Sequence, residues 1–256
     1  MIYIHLQDAI FIEETFFNID AKIASYYFHK NWGADKLYAG PCWDYDCLYI
    51  NSEDPEYIDS RSILEYDKIR DMPSLDWDDR LMNKGDYSDY VEEVFVRDAE
   101  AWNQLLEIGI DRYFAKIEAS LTMDHVRWNR SDEKIGLYYG HYALAESNVR
   151  FLKYALFKRL CFLTDLWGVD IRFVKPDTDN GTLHTVRFIN EDGSEIVLRE
   201  KDGAFIRAED IPQCDMSCYK GWNNVNTNEL LHTELPVFED MVFIPEKESI
   251  DDNDRD

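Results

Sequence analysis

Two aspartates two positions apart, Asp44 and Asp46, have a type and spacing that suit cation chemistry. Carboxylates at alternate positions of an extended segment point to the same side, so together they can hold a divalent cation. Asn18 and Asp20 have the same spacing earlier in the chain. The spacing alone is not specific and mostly indicates a solvated surface, because it also occurs at Asp76/Asp78, Asp177/Asp179, Asp252/Asp254 and Asp254/Asp256.

The residues around these carboxylates predict a helix followed by a hairpin. Apolar residues such as Phe11, Phe16 and Phe17 indicate a helix that ends near Asn18. The first strand, turn and returning strand of the hairpin are then predicted at 25–29, 31–35 and 36–39. The hairpin ends at Gly40-Pro41, directly before the Asp44 segment, so it can bring carboxylates from distant positions together.

Cysteine and histidine give no competing site. Cys214 and Cys218 are close enough to pair in a loop, but free thiols are expected, and no second pair stands at zinc spacing. With Cys42, Cys47 and Cys161 the count is five, which leaves at least one thiol free. The six histidines show neither ligand spacing nor a Ser or Cys partner motif and are interpreted as ordinary core or surface residues: His5, His29, His125, His141, His184 and His232.

Composition excludes several classes of protein. The 256 residues are 45% hydrophobic and 14% aromatic, which fits one or two globular domains. The net charge of -25 disfavours nucleic acid and anionic membranes as partners, because both require clustered Lys and Arg. No apolar run reaches the length of a membrane span, and Met1 leads into no signal peptide, which by itself predicts a cytoplasmic chain.

The remaining elements are predicted from periodicity. Residues 51–90 are acidic and aperiodic and are interpreted as a long irregular excursion. From Asp98, apolar residues at three- and four-residue steps predict a core-facing amphipathic helix: Trp102, Leu105, Leu106, Ile110, Tyr113, Phe114 and Ile117. A second helix has one apolar face from Val149 to Trp167 and is stopped by Gly168.

After Pro176 the pattern changes to short strands. A linker at 177–181 precedes a predicted strand at 185–189, an Asp192-Gly193 hairpin turn and a partner strand at 195–199. Met241 to Ile244 closes the β unit. Residues 247–256 are mostly charged and are predicted to be an acidic tail.

The order of the motifs resembles the catalytic core of the CotH family of spore-coat kinases. Four features carry the resemblance: Asn18-Ile-Asp20, Ser25-Tyr-Tyr-Phe28, Gly40-Pro41 and Trp43-Asp44-Tyr45-Asp46. With the helical stretch to Trp167, it covers about residues 1–170. It implies an α+β fold in which a helix-rich, kinase-like C-lobe with a small catalytic hairpin precedes a small β module.

The resemblance implies Mg²⁺ and ATP as cofactors and phosphoryl transfer to hydroxyl groups of a protein substrate. Asp20 is expected to be catalytic, orienting or deprotonating the acceptor hydroxyl. Asn18 and Asp44 are expected to bind the cofactor, and Asn18, Asp44 and Asp46 to act as metal ligands. Hard oxygen donors are the ligands that Mg²⁺ prefers, so the residue types suit this role.

Three departures from the family pattern bear on activity. Family members carry an upstream nucleotide-covering lobe with phosphate-gripping basic residues, whereas the first lysine here is Lys22. Ser25 stands near the place of a family Asn, and Tyr49-Ile-Asn51 keeps only the Asn of a Gly-Asn pair. We therefore expect a C-terminal catalytic portion without its N-terminal lobe, weak or inactive by itself.

Residues 184–246 resemble the Listeria–Bacteroides (internalin B-type) repeat, a small β-grasp-like surface module. The matched features, in order, are Thr185-Val-Arg-Phe188, Asp192-Gly193, Gly203, Pro212, Gly221-Trp222 and Leu235-Pro-Val237 with Glu239-Asp240. Both resemblances favour an extracellular, cell-surface or spore-coat location for the parent protein. Coat or surface proteins are then the expected partners.

Two other functions remain open. The first is a non-catalytic scaffold or binding protein of the cell surface or spore coat. The second is a carbohydrate-active enzyme, in which paired carboxylates hydrolyse a glycosidic bond. Tryptophan content suits sugar stacking, but nothing in the sequence fixes two carboxylates across a cleft.

Overall fold

The computed structural model describes residues 4–18, 27–33, 38–40, 42, 45, 84–128, 142–176, 181–213 and 219–247. The chain divides into two compact units, one of residues 1–139 and 152–176, the other of residues 140–151 and 177–256. Both helices and strands are present, so the predicted α+β class is confirmed. Within the described residues, no helix is long and apolar enough to cross a membrane.

The first unit is built on helices. They are α1 (Leu6–Phe16), α2 (Gly85–Gln104), a π-helical segment (Leu105–Gly109), α3 (Ile110–Trp128) and residues 152–167 of α4 (Ala145–Trp167). Three short strands, β1 (Ile4–His5), β2 (Phe28–His29) and β3 (Tyr38–Ala39), form an antiparallel sheet in the order β1-β3-β2.

The hairpin that the sequence predicts is confirmed where the structure describes it. Phe28 pairs with Ala39 and His29 with Tyr38, and Gly33 in the connection has φ 75°, in the left-handed region that favours glycine. The Gly40 amide donates to the Tyr27 carbonyl at 2.9 Å. The other predicted strand residues, 25–26 and 36–37, lie outside the described part of the chain.

Aromatic rings from three helices meet in the core of the first unit. Phe11 of α1 lies 5.4 Å from Phe95 and 5.5 Å from Trp102 of α2, measured between ring centroids. Trp167 of α4 lies 5.0 Å from Phe95. Burying a ring such as Phe11 contributes roughly 1.5–3 kcal/mol, so these contacts fix α1 against its neighbours.

Two expectations about the helices are wrong. Residues 85–90 are helical rather than irregular, since α2 begins at Gly85. The apolar stripe from Trp102 to Ile117 is core only in part: Leu106 is buried, but Tyr113 and Ile117 are 62% and 52% exposed. None of the α3 residues whose burial is described is buried, so the exposure extends around the whole helix and is not confined to the predicted stripe.

The predicted second helix is confirmed. Leu156, Leu160 and Leu163 of α4 are buried on one face, and Gly168 ends the helix with φ 65°. The amides of Gly168 and Val169 donate to the carbonyls of Asp165 and Thr164. This pair of bonds is a Schellman motif, in which the residue after the helix is left-handed.

The second unit contains a mixed four-stranded sheet. Its strands are β4 (Leu183–Ile189), β5 (Glu195–Lys201), β6 (Tyr219–Asn224) and β7 (Met241–Lys247), in the order β5-β4-β7-β6. β4 and β7 are parallel at its centre, and the other pairs are antiparallel. The Asp192-Gly193 turn is confirmed, with Gly193 at φ 80°.

Aromatic rings form the core of the sheet, and the loop before β7 contacts its own unit's part of α4. Phe188, Trp222 and Phe243 are buried, and Phe188 lies 5.1 and 5.3 Å from the other two rings. The buried Glu239 carboxylate accepts from the amides of Ala143 and Leu144, at 2.8 and 3.0 Å, just before α4 begins. Because a carboxylate at this position satisfies amides that the helix leaves unpaired, Glu239 caps α4 from a distant loop.

Candidate functional site

The structure describes only part of the predicted site. Asn18 and Tyr45 are described, whereas Asp20, Asp44 and Asp46 lie outside the described residues, as does Trp43. Their positions therefore remain predictions. What the structure does define is the framework on both sides of these carboxylates: the end of α1, which leads into Asn18-Ile-Asp20, and Tyr45, which separates Asp44 from Asp46.

The end of α1 is a second Schellman motif. The Phe17 amide donates to the Glu14 carbonyl at 3.3 Å, and the Asn18 amide to the Glu13 carbonyl at 3.1 Å. Phe17 has φ 48°, in the left-handed region. For a bulky residue this conformation costs about 1–2 kcal/mol, so the surrounding contacts must hold it.

Those contacts come from Arg159 of α4. Its Nε donates to the Glu14 carbonyl at 2.6 Å, and its Nη2 forms an ion pair with the Glu14 carboxylate. The guanidinium carbon lies 4.8 Å from the centroid of the Phe17 ring and 4.9 Å from that of Phe162. Arg159 is fully buried, so the ion pair and both ring contacts act without competition from water.

Asn18 follows the strained residue and is also fully buried. Among the residues that the structure describes, neither Oδ1 nor Nδ2 of its amide has a hydrogen-bond partner. An unpaired buried polar group costs about 1–3 kcal/mol, so the position is unfavourable for stability alone. Its Oδ1 is a hard oxygen donor of the kind that Mg²⁺ takes, and in this respect Asn18 fits the predicted role.

Tyr45 links the segment around Asp44 and Asp46 to the end of α1, which leads into Asn18. Its hydroxyl donates to Glu13 Oε1 at 2.6 Å, and its ring meets the Phe16 ring edge-on at 6.0 Å. Burial raises the pKa of the Tyr45 phenol far above its ordinary value, and the Glu13 carboxylate and Cys42 raise the same pKa further. The phenol therefore stays protonated and remains a donor to Glu13 throughout the physiological pH range.

The hairpin presents aromatic side chains beside this framework. The His29 ring stacks on Tyr38 with centroids 5.5 Å apart, and Trp32 in the connection is fully exposed. Cys42 is exposed and free, and Cys161 is also free. Cys47, Cys214 and Cys218 lie outside the described residues. Within the described part of the chain, no cluster of three or more His, Cys, Asp or Glu side chains could hold a metal ion.

Sequence reasoning missed the residues that build the framework, although a signal was present. Arg159 stands three residues after Leu156 and four before Leu163, on the apolar face of its helix. Glu14 likewise stands three residues after Phe11 and three before Phe17. A charged residue at a core-facing position must be paired to be buried, so two such residues of opposite charge predict an ion pair.

Comparisons with known proteins add no identification. No family model, curated protein or solved structure matches the chain.

Proposed function

We propose that the first unit contains the catalytic-loop and metal-binding part of a CotH-like phosphotransferase site. The reaction is Mg-ATP-dependent phosphoryl transfer to protein hydroxyls, in this chain or in a longer protein that contains it. One observation carries the proposal: the Tyr45 hydroxyl bonds Glu13, five residues before Asn18, so the two segments that supply the expected carboxylates meet at their flanks.

Each residue of the proposed site has a separate role that follows from its chemistry. Mg²⁺ with ATP, when bound, supplies the phosphoryl group and neutralises its charge. Asn18 Oδ1 and the carboxylates of Asp44 and Asp46 would hold the cation, and Tyr45 would fix the segment between the two carboxylates. Asp20 orients the acceptor hydroxyl and takes its proton.

The direct test of this function is a transfer assay with labelled ATP and Mg²⁺, scored on the chain itself and on an added protein. Asp44→Ala should abolish incorporation, because the cation loses its main carboxylate. Asp76→Ala removes one carboxylate from another Asp-x-Asp pair and should leave incorporation unchanged. Full incorporation by the Asp44→Ala variant would remove Asp44 from the site.

A non-catalytic scaffold is the second candidate, and one feature favours it. Apolar side chains on α3 are exposed, including Met123 and Val126 at 67% and 71%. Exposed apolar side chains on one helix support an interaction with another protein. Coat or surface proteins are the partners we propose under either function, with an extracellular, cell-surface or spore-coat location.

We also propose that the second unit is a β-grasp-like surface module of the Listeria–Bacteroides type. The parallel pairing of β4 and β7 at the centre of a mixed sheet supports this proposal. Such a module would present the first unit at a surface and take no part in the chemistry.

A further inference from the structure

Arg159 makes three kinds of contact with one turn of the chain. It donates to the Glu14 carbonyl, pairs with the Glu14 carboxylate and stacks on the Phe17 ring. The Glu14 carbonyl also accepts the Phe17 amide, so Arg159 reinforces one of the two bonds that define the turn. Glu14 and Arg159 are 145 residues apart in sequence, which makes this a tertiary constraint and no part of the helix itself.

Stability alone does not account for this arrangement. A buried ion pair is commonly replaced by packed apolar residues without loss of stability, because both charges must be desolvated. The turn that it holds contains a left-handed Phe17 and is followed by Asn18, whose amide is buried and unpaired among the described residues. Strain and unsatisfied groups that a structure holds in place are frequent at functional sites.

We infer that Arg159 is the positioning residue of Asn18, an inference that rests on the proposed function. Arg159 fixes the turn at Phe17. This turn sets the direction in which Asn18 leaves the end of α1. Lysine would keep the charge but could not both fork onto Glu14 and stack between the rings of Phe17 and Phe162.

The test compares a double variant, Glu14→Met with Arg159→Met, with the wild-type chain. Removing both charges leaves neither buried without a partner, so the urea midpoint should stay close to that of the wild type. Hydrogen exchange at the Phe17 and Asn18 amides should become at least about tenfold faster. Affinity for Mn²⁺, used as a spectroscopic stand-in for Mg²⁺, should fall by about 10- to 100-fold, as expected when a ligand loses its supporting partner.

Arg150→Met is the matched control. Arg150 is on the same helix and pairs with a buried carboxylate, Asp202, but it belongs to the second unit. This variant should leave exchange at Phe17 and Asn18, and Mn²⁺ affinity, unchanged.

The outcomes separate the two claims. Wild-type exchange at both amides in the double variant would overturn the inference, whatever the affinity for metal. Faster exchange with unchanged Mn²⁺ affinity would also overturn it, because the turn would then not position a ligand. A wild-type chain that binds no Mn²⁺ would contradict the proposed function, and with it the positioning role.

Discussion

Phe17 and Gly168 occupy the same position in two Schellman motifs, one at the end of α1 and one at the end of α4. Glycine adopts the left-handed conformation without strain, which is why the sequence alone predicts the end of α4. Phenylalanine does not, so the sequence predicts the end of α1 near Asn18 but not the left-handed conformation of Phe17. Its ring contacts Arg159, which is distant in sequence, and single-sequence patterns do not report such contacts.

Tyr45 gives a prediction about alkaline pH. Because its pKa in the folded chain is raised above the ordinary value of about 10, the unfolded chain ionises first as the pH rises. The contribution of Tyr45 to the free energy of unfolding is thus present below pH 10 and lost above it, by up to about 1.4 kcal/mol per pH unit. Tyr45→Phe should reduce this alkaline loss, as measured by urea unfolding between pH 9 and pH 11.

Tyr90→Phe controls for the other 15 tyrosines, since Tyr90 is partly exposed on α2. At neutral pH, Tyr45→Phe should also lower the free energy of unfolding by about 1–3 kcal/mol, because Glu13 Oε1 loses its donor. Equal alkaline loss in the Tyr45→Phe and Tyr90→Phe variants would show that the Tyr45 phenol is not held protonated.

At the level of elements, local signals predicted the pieces that local physics controls. The apolar spacing of α4, the Asp192-Gly193 turn and the hairpin of β2 and β3 follow from periodicity and turn residues, and all are present. The π segment at Leu105–Gly109 was not predictable, because one extra residue in a helical turn leaves the composition unchanged while rotating the face that follows.

Glu239 gives a prediction for the second unit. Its carboxylate accepts the amides of Ala143 and Leu144, so Glu239→Ala should lower the free energy of unfolding by about 1–3 kcal/mol. Exchange of these two amides should accelerate as well. Glu234→Ala is the control, since Glu234 is exposed and its recorded bond is to its neighbour Thr233. If the two variants are equally stable, Glu239 does not cap α4.

At the level of the whole molecule, the negative net charge of the chain opposes the binding of nucleotide. The chain carries a net charge of -25, and its 256 residues contain no Gly-rich phosphate loop. Mg²⁺ offsets only part of the repulsion from the phosphates. We expect calorimetry with Mg-ATP to give a dissociation constant of about 1 mM or weaker, and transfer to be slow. Micromolar binding together with phosphate incorporation would show that the chain is a complete enzyme.

The type of the candidate site stays a prediction from the sequence, and the framework that flanks it was not predicted. Asn18 and the three aspartates stand out by type and order, but they say nothing about what holds them. The framework of Glu13, Glu14, Tyr45 and Arg159 depends on pairings between residues that are far apart in the chain. The one sequence signal for this framework is that Glu14 and Arg159 are charged residues on apolar helix faces.

The central claim is that the segments beginning at Asn18 and ending at Asp46 form one metal site. Titration with Mn²⁺, followed by electron paramagnetic resonance, tests it most directly. The wild-type chain should bind one ion at this site, Asp44→Asn should weaken that binding by about tenfold or more, and Asp76→Asn should leave it unchanged. Equal affinity in all three proteins, or an equal loss in both variants, would contradict the account.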